Sequence, residues 1–264
     1  MRSARVLIIA GSDSGGGAGI QGDLKTVQAL GGYGMTAITA LTAQNTLGVS
    51  DIYPVPPTFI VEQMRMCLDD IGADAIKTGM LHSAEVIEAI VNALPANVPL
   101  VVDPVMMAKG GAPLLAEAAL HALKSLLIPM ATIITPNLPE AELLLGRTID
   151  PSPESMEIAA QQLLALGCSA VLLKGGHALL ENGSAPTTLT DILVMRDVVP
   201  IALTAPRINT RHTHGTGCAF ASAIATGIAQ KLSLQDAVRR AHGYVQEAIA
   251  RAPGLGSGHG PLGH

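Results

Sequence analysis

Tryptophan is absent from this 264-residue chain, and aromatic residues together make up only 2% of it. Aromatic side chains provide the stacking surfaces on which proteins hold single-stranded nucleic acids. The formal net charge of -5 also leaves no basic surface of the kind that attracts a phosphate backbone. The composition therefore argues against a nucleic-acid partner.

Long apolar runs are also missing, although 48% of the residues are hydrophobic and the mean hydropathy is +0.41. No run reaches the roughly 18 residues that a membrane-spanning helix needs. The apolar stretches are instead short, rich in Val, Ile and Leu, and interrupted by Gly or Pro, which is typical of buried parallel strands. The first of them, Val6–Ala10, is too short for a signal peptide. We expect no membrane partner.

Cysteine is scarce: Cys67, Cys168 and Cys218 are an odd number and lie far apart. Their spacing excludes a disulfide framework and a zinc signature, and it predicts a reducing, cytoplasmic location. His212 and His214 form an H-x-H pair, but no Cys or His cluster accompanies them at metal-binding spacing. No Walker A sequence occurs, which excludes a P-loop mechanism.

Apolar β-branched runs alternate with amphipathic segments along the chain, and no segment reads as a linker. This alternation predicts a single α/β domain over residues 1–264, with a mostly parallel central sheet and helices on both faces. The predicted strands are Val6–Ala10, Met35–Leu41, Ala75–Thr78, Leu100–Asp103, Thr132–Thr135 and Val171–Lys174, and the predicted helices include Thr58–Ile71, Ala84–Leu94, Glu154–Leu166, Thr216–Gln230 and Leu234–Arg251. Leu189–Met195 and Val198–Thr204 predict an antiparallel hairpin at the sheet edge.

Polar and glycine-rich segments follow several of the predicted strands, where open α/β sheets bind ligands. They are Gly11–Gly19, Thr42–Asn45, Asp103–Pro104, Pro136–Glu140 and Lys174–His177. Because these segments converge on one edge of the sheet, we expect an active site there.

The first glycine-rich segment contains Gly17-Ala-Gly19-Ile-Gln-Gly22, which matches the dinucleotide fingerprint G-x-G-x-x-G. The match is weak, because these glycines do not directly follow the predicted strand and no acidic residue ends the second strand. A nicotinamide or flavin enzyme is a poor second choice, and the loop can also be read as a tight connection.

A second glycine-rich segment, Thr213–Ser222, opens an alanine-rich helix. Backbone N–H groups at a helix N-terminus form an anion site, and Gly215 and Gly217 keep them accessible. Cys218 falls in the first turn, where the helix dipole favours a thiolate. A small buried hydrophobe is the alternative for this cysteine, but the adjacent anion site favours the functional interpretation.

Asn137 and Glu140 lie three residues apart at a predicted helix start, and Lys174 ends an apolar strand. The first two could hold Mg²⁺ through water, or they could form a capping box. Lys174 suits phosphate charge, although its side chain could equally extend to solvent.

Several blocks of this sequence together resemble a known family. They are Ala10–Thr26, Gly32–Asn45, Lys77–Leu81, Val102–Met106, Thr135–Glu142, Leu173–His177 and His214–Cys218. In this order, over nearly the whole chain, they resemble the hydroxymethylpyrimidine/phosphomethylpyrimidine kinases of thiamine biosynthesis, in the ribokinase-like superfamily. One departure is Gly22, where that family would lead us to expect alanine.

The resemblance implies that ATP phosphorylates 4-amino-5-hydroxymethyl-2-methylpyrimidine and then its monophosphate, with Mg²⁺ as cofactor and a homodimer as the assembly. Gln44 would bind the aminopyrimidine edge, with Gly11 and Met80 beside it and Asp23 near the reacting alcohol. The resemblance also assigns Asn137, Glu140 and Lys174 to the Mg²⁺–phosphate site, and it makes Gly215, Thr216, Gly217 and Cys218 the catalytic segment.

Most sugar kinases of the superfamily have an aspartate base where Cys218 stands. Two alternatives stay open: a kinase of the same fold that acts on vitamin B6 alcohols, and a non-catalytic ligand-binding module on a degenerate kinase fold.

Overall fold

Nine strands form one continuous sheet in the order β3-β2-β1-β4-β5-β6-β7-β8-β9. The structure is a computed structural model and describes residues 3–106, 117–176 and 186–264, so that His177 of the sequence blocks lies outside the described residues. The six strands from β2 to β7 in this order are mutually parallel. β3, β8 and β9 join the sheet through antiparallel pairs.

The elements of the described residues have the following bounds. The strands are β1 (Arg5–Asp13), β2 (Tyr33–Gln44), β3 (Val49–Pro54), β4 (Ala75–Thr78), β5 (Leu100–Val102), β6 (Ile133–Ile134), β7 (Ala170–Leu173), β8 (Thr188–Met195) and β9 (Val198–Pro206). The helices are α1 (Gly19–Ala29), α2 (Pro57–Asp70), α3 (Ala84–Ala93), α4 (Glu117–Ala122), α5 (Leu138–Leu145), α6 (Pro153–Leu164), α7 (Thr216–Ala229) and α8 (Leu234–Ala250). A π-helical turn, Leu123–Leu127, and a 3-10 turn, Ile128–Met130, follow α4. Among the described residues, no helix is both long and apolar enough to cross a bilayer.

Helices cover both faces of the sheet, as β1 illustrates. Leu7 and Ile9 pack into the core beneath α2, α3, α5 and α6, whereas Val6 and Ile8 pack into the core beneath α7 and α8. Side chains alternate between the faces of a strand, so a strand with apolar residues at every position must be covered on both sides. The continuous apolar runs of the sequence have this cause.

The predicted fold class is confirmed, and so is the hairpin, in which β9 forms one edge of the sheet. The sequence interpretation missed β3, which forms the other edge and has no buried residue, so that no hydrophobic pattern marks it. It also ended the first strand too early. β1 continues to Asp13, which shortens the predicted loop, and α1 already begins at Gly19.

The strand order changes direction at β1, which lies between β2 and β4. The chain moves outward from β1 to β2 and then crosses back to β4 on the other side of β1. Such a switch point leaves a crevice at the carboxyl ends of the strands. The segments after β1, β2, β4 and β5 meet there.

Candidate active site

The carboxyl ends of the central strands open onto a cavity of about 670 Å³, a size typical of small-molecule sites. All the candidate residues from the sequence except Asp23 line this cavity. They are Gly11, Gln44, Met80, Asn137, Glu140, Lys174 and Gly215–Cys218. Segments that are separated by up to 200 residues in the sequence thus share one site, as the strand-end argument predicts.

Asp13, the last residue of β1, organises the glycine-rich turn. Its buried carboxylate accepts hydrogen bonds from the backbone N–H groups of Gly15 (2.8 Å), Gly17 (3.1 Å) and Ala18 (2.8 Å). It also lies 2.9 Å from His214 Nε2. Burial alone would raise the pKa of Asp13, but His214 and these amides outweigh burial and lower it. Asp13 is therefore an anion that ties the first loop to the segment before α7.

Gly215 allows that segment to approach the first loop closely. Its φ of 84° lies in the left-handed region, and a Cβ there would clash with the carbonyl oxygen of Gly17. Helix α7 begins directly afterwards, at Thr216, so the amides of its first turn have no acceptor inside the helix. The residues of this turn, Thr216, Gly217 and Cys218, line the cavity. The helix N-terminus is therefore a site for an anion.

The sequence predicts a thiolate at Cys218, and the structure does not support this prediction. Cys218 lines the cavity and is half-buried. Burial raises the pKa of Cys218 to about 12, and nearby Asp23 and Asp103 add to the rise although Lys77 opposes it. The thiol is therefore neutral at physiological pH, because burial beside two carboxylates disfavours the thiolate.

Asp23, which the resemblance places near the reacting alcohol, lies behind the cavity wall. It is 0% exposed, does not line the cavity, and binds Lys77 Nζ at 2.7 Å and Ser222 Oγ at 2.6 Å. Burial would lower the pKa of Lys77, but Asp23 outweighs it and raises that pKa. Burial raises the pKa of Asp23, which Lys77 and Ser222 oppose. Because a buried cation needs a charged partner, Asp23 serves Lys77, and Lys77 is the member of the pair that reaches the cavity wall.

Lys174 does not extend to solvent but turns into the cavity. Its Nζ lies 3.2 Å from Asp103 Oδ1, which also accepts a hydrogen bond from Thr135 Oγ1 at 3.0 Å. Burial would lower the pKa of Lys174, but Asp103 and Glu140 outweigh it and raise that pKa. The cavity thus has a buried, charged ammonium group close to Gly217 of the helix N-terminus.

The capping-box interpretation of Asn137 and Glu140 is confirmed. The Asn137 side chain accepts from the Glu140 N–H at 2.9 Å, and Glu140 Oε2 accepts from the Asn137 N–H at 2.8 Å. Burial raises the pKa of Glu140 to about 7, although Lys174 opposes the shift. Capping uses one carboxylate oxygen of Glu140, and the residue still lines the cavity. A role toward a metal therefore stays open beside the capping role.

Gln44, Met80 and Gly11 also line the cavity. Met80 lies against Gly11, where a Cβ would come within 2.7 Å of Met80 Cε. Gln44 Oε1 lies 3.0 Å from Thr42 Oγ1, and Gln44 Nε2 lies 3.2 Å from His214 Nε2. This wall combines apolar surface with one amide, the mixture that orients a small polar ring.

Several polar residues of the site received no role from the sequence, among them Asp13, Lys77, Asp103 and His214. Each carried a signal that could have found it, since Asp13, Lys77 and Asp103 lie at strand ends and His214 directly precedes Gly215. The sequence analysis places His214 in an H-x-H pair and in the His214–Cys218 block, without a role of its own. Within the described ranges, no group of three or more His, Cys, Asp or Glu side chains is arranged to hold a metal ion.

A family model described as phosphomethylpyrimidine kinase matches residues 13–263 of the chain. The chain is 52% identical over 261 residues to the thiamine biosynthesis bifunctional protein ThiED of Geobacter sulfurreducens. That alignment covers 98% of this chain but 52% of the relative, so the chain spans about half of the bifunctional protein. It is also 46% identical to the hydroxymethylpyrimidine/phosphomethylpyrimidine kinase of Bacillus subtilis, with coverage of 98% of this chain and 94% of that enzyme.

Among solved structures, the fold is similar to that of a Bacillus subtilis pyridoxal kinase in complex with ADP. The TM-score is 0.90 at 35% sequence identity, and the alignment covers 100% of this chain and 98% of the other. The similarity extends over the whole sheet and both helical layers. Sequence and fold thus point to two vitamin kinases that share one architecture.

Proposed function

The chain belongs to the phosphomethylpyrimidine kinase family, and from this premise we propose that it is the ATP-dependent kinase that phosphorylates 4-amino-5-hydroxymethyl-2-methylpyrimidine and then the resulting monophosphate. The observation that carries the proposal is the match of 46% identity over 98% of the chain to an enzyme of that name. The cavity adds the chemistry that such an enzyme needs: the Gln44 amide, an anion site and two buried ammonium groups.

We propose that the pyrimidine ring lies against Met80 and Gly11, with its amino edge on Gln44. A glutamine amide offers one donor and one acceptor side by side, which matches a ring nitrogen next to an amino group. The proposal is supported by the position of Gln44 in the cavity wall, where its amide lies 3.2 Å from His214, just before the start of α7. The hydroxymethyl group of a ring held there would extend toward the helix N-terminus.

The amides of Gly215, Thr216, Gly217 and Cys218, with Lys174, would stabilise the charge of the transferring phosphoryl group. In each step an acceptor oxygen forms a bond to the γ-phosphorus of ATP while the bond from that phosphorus to the bridging oxygen breaks and releases ADP. Phosphoryl transfer depends mainly on positioning and charge stabilisation. The alcohol proton can therefore leave after the new bond has formed, and the monophosphate oxygen of the second step is already anionic. One site without a strong base is sufficient for both steps.

Because its thiol is neutral, Cys218 is expected to serve both steps equally. Cys218→Ala should slow both phosphorylations by a similar factor of less than about tenfold, since general-base help worth ~10²–10⁴-fold is not available to lose. Steady-state rates with the alcohol and the monophosphate supplied separately measure this. Cys218→Ser, which keeps a small polar side chain, is the matched control. A selective loss of 10²-fold or more in the first step would show that a thiolate acts as base.

We propose Mg²⁺ as the metal cofactor, with Glu140 and Asn137 reaching it together with phosphate oxygens of ATP. The residues fit this ion, because Mg²⁺ is usually bound by one or two carboxylates, water and substrate phosphates rather than by a protein cage. The buried carboxyl group of Glu140 at the cavity wall has one oxygen beyond the one that caps α5. When bound, the ion would neutralise phosphate charge.

Two variants of Glu140 separate the metal role from the capping role. Glu140→Gln keeps an oxygen for the capping box but removes the charge, so it should raise the Mg²⁺ concentration for half-maximal rate by about tenfold with little loss of stability. Glu140→Ala removes both the charge and the capping oxygen. It should also reduce the free energy of unfolding by about 1 kcal/mol, which a lower melting temperature would report. An unchanged Mg²⁺ titration for Glu140→Gln would leave capping as the only role.

A pyridoxal kinase is the second candidate, favoured by the TM-score of 0.90 to such an enzyme. Turnover assays with ATP and the pyrimidine alcohol, its monophosphate or pyridoxal as rival acceptors decide between them. We expect both pyrimidines to be phosphorylated with higher kcat/KM than pyridoxal. A higher kcat/KM for pyridoxal would overturn the assignment, and no turnover with any acceptor would favour a binding module.

Three further expectations from the sequence remain proposals. The continuous sheet supports one domain over residues 1–264. A homodimer is supported by Leu41 and Tyr53, exposed apolar neighbours across β2 and β3 near one edge of the sheet. Light scattering tests it, since a mass of 27.0 kDa would indicate a monomer. The cytoplasmic location stays a prediction.

A further inference from the structure

His214 lies between two hydrogen-bonding partners that restrict where its protons can be. Its Nε2 is 2.9 Å from Asp13 Oδ2 and 3.2 Å from Gln44 Nε2. The lowered pKa of Asp13 keeps that residue a carboxylate, and a carboxylate can only accept hydrogen bonds. Nε2 of His214 must therefore carry a proton, whether the ring is neutral or charged. A protonated ring nitrogen cannot accept a hydrogen bond from the amide nitrogen of Gln44, so only the amide oxygen can pair with Nε2.

The contact between the Gln44 amide and Thr42 independently requires the same orientation of the amide. Thr42 Oγ1 lies 2.9 Å from the carbonyl oxygen of Ser12, to which it can only donate. A hydroxyl group has only one proton, and Thr42 Oγ1 donates it to Ser12. Thr42 Oγ1 can therefore only accept a hydrogen bond from the Gln44 amide, whose Oε1 atom lies 3.0 Å away. The amide nitrogen of Gln44 is thus needed beside Thr42 and the amide oxygen beside His214. A half-turn of the amide group about its terminal torsion satisfies both neighbours without moving any other atom.

We propose that His214 is a positioning residue that, with Thr42, holds the Gln44 amide with its oxygen toward His214 and its nitrogen toward Thr42, and so selects amino-substituted over oxo-substituted pyrimidines. The proposal rests on the proposed function, in which Gln44 meets the ring edge. Held in this way, the amide keeps one N–H and one oxygen lone pair for the ligand. Asp13 is the third member, because it holds the His214 ring in place.

The selectivity follows from the order of donors and acceptors on the ring. A 4-amino pyrimidine presents a ring nitrogen that accepts beside an amino group that donates. Its 4-oxo counterpart presents a ring N–H that donates beside an oxygen that accepts, the reverse order. A free glutamine amide could turn over and pair with either ring. An amide held by His214 and Thr42 would lose both of those hydrogen bonds if it turned, so the oxo ring is disfavoured.

The test compares the Kd of 4-amino-5-hydroxymethyl-2-methylpyrimidine with that of its 4-oxo analogue by calorimetry. The full chain should prefer the amino ring by about 10²-fold or more, because a site built for one hydrogen-bonding pattern rejects the reverse. His214→Leu removes the donor and should reduce this preference by about tenfold. His214→Gln can place an amide N–H near the position of Nε2 and should retain it within about threefold. Thr42→Val and Thr42→Ser form a second pair with the same expected contrast.

Equal losses of affinity for both rings in His214→Leu and Thr42→Val, with the preference unchanged, would overturn the proposal and leave these residues with a structural role. Failure of the unsubstituted chain to bind the amino ring would instead overturn the proposed function. A second measurement needs no variant and no ligand: ¹⁵N NMR of the imidazole nitrogens reports which nitrogen of His214 is protonated. A proton on Nε2 supports the proposal, and an unprotonated Nε2 contradicts it.

Discussion

Replacement of Lys174 by methionine is expected to lower kcat/KM for both phosphorylations by about 10²–10³-fold. Lys174 is a buried ammonium group beside the start of α7. Among the described residues, it is the only cation that forms an ion pair with Asp103. A preorganised cation in a site of low dielectric stabilises developing phosphoryl charge far more than it would in water. The same phosphoryl group is transferred in both steps, so both should slow together.

Folding has to be separated from catalysis in this variant, because Lys174→Met leaves Asp103 without its ammonium partner. Thermal unfolding measured on the same sample reports that cost. Lys124→Met, which removes one positive charge from the π-helical turn after α4, is the control for net charge and should retain full activity. Activity close to that of the unsubstituted chain in a folded Lys174→Met variant would show that Lys174 is only the partner of Asp103.

Asp23→Ala is expected to destabilise the fold by about 3–5 kcal/mol, because it leaves the Lys77 ammonium group buried without a counter-charge. Both side chains of the pair are 0% exposed, so the remaining ammonium group would stay in a site of low dielectric. Ser222 also loses its acceptor. Urea unfolding measures the change in the free energy of unfolding.

The double variant Asp23→Leu/Lys77→Met is the matched comparison, since replacing both charges with apolar groups of similar size removes the uncompensated charge. It should recover most of the stability that Asp23→Ala loses. The alternative, a direct role of Asp23 at the reacting alcohol, predicts a different outcome. A loss of stability below about 1 kcal/mol together with a large loss of first-step activity would favour that role.

Much of the fold followed from sequence patterns because the central strands are buried on both faces. Val6–Ala10 is apolar at every position, and only a covered parallel strand accepts such a run. β3 shows the limit of this reasoning. Its residues are held by pairing with β2 and not by burial, so no apolar periodicity identifies it.

The candidate site was predictable in its location and less so in its chemistry. Strand ends and glycine-rich turns lead to one edge of the sheet by topology alone, which is why Gln44, Lys174 and the Gly215–Cys218 segment were found together. The roles of Asp23 and Cys218 were assigned by resemblance and by helix position. Neither source reports how much water reaches a side chain.

By itself, the sequence determined the layered α/β architecture, the family and the edge of the sheet where the site lies, because hydrophobic periodicity and glycine placement are local properties. Only the tertiary structure decided which charges are paired and which protons are retained. Asp23 lies 54 residues from Lys77, and Asp13 lies 201 residues from His214. Ionisation depends on desolvation and on the distance to the nearest opposite charge, and folding sets both. The raised pKa of the Cys218 thiol is mainly a consequence of burial.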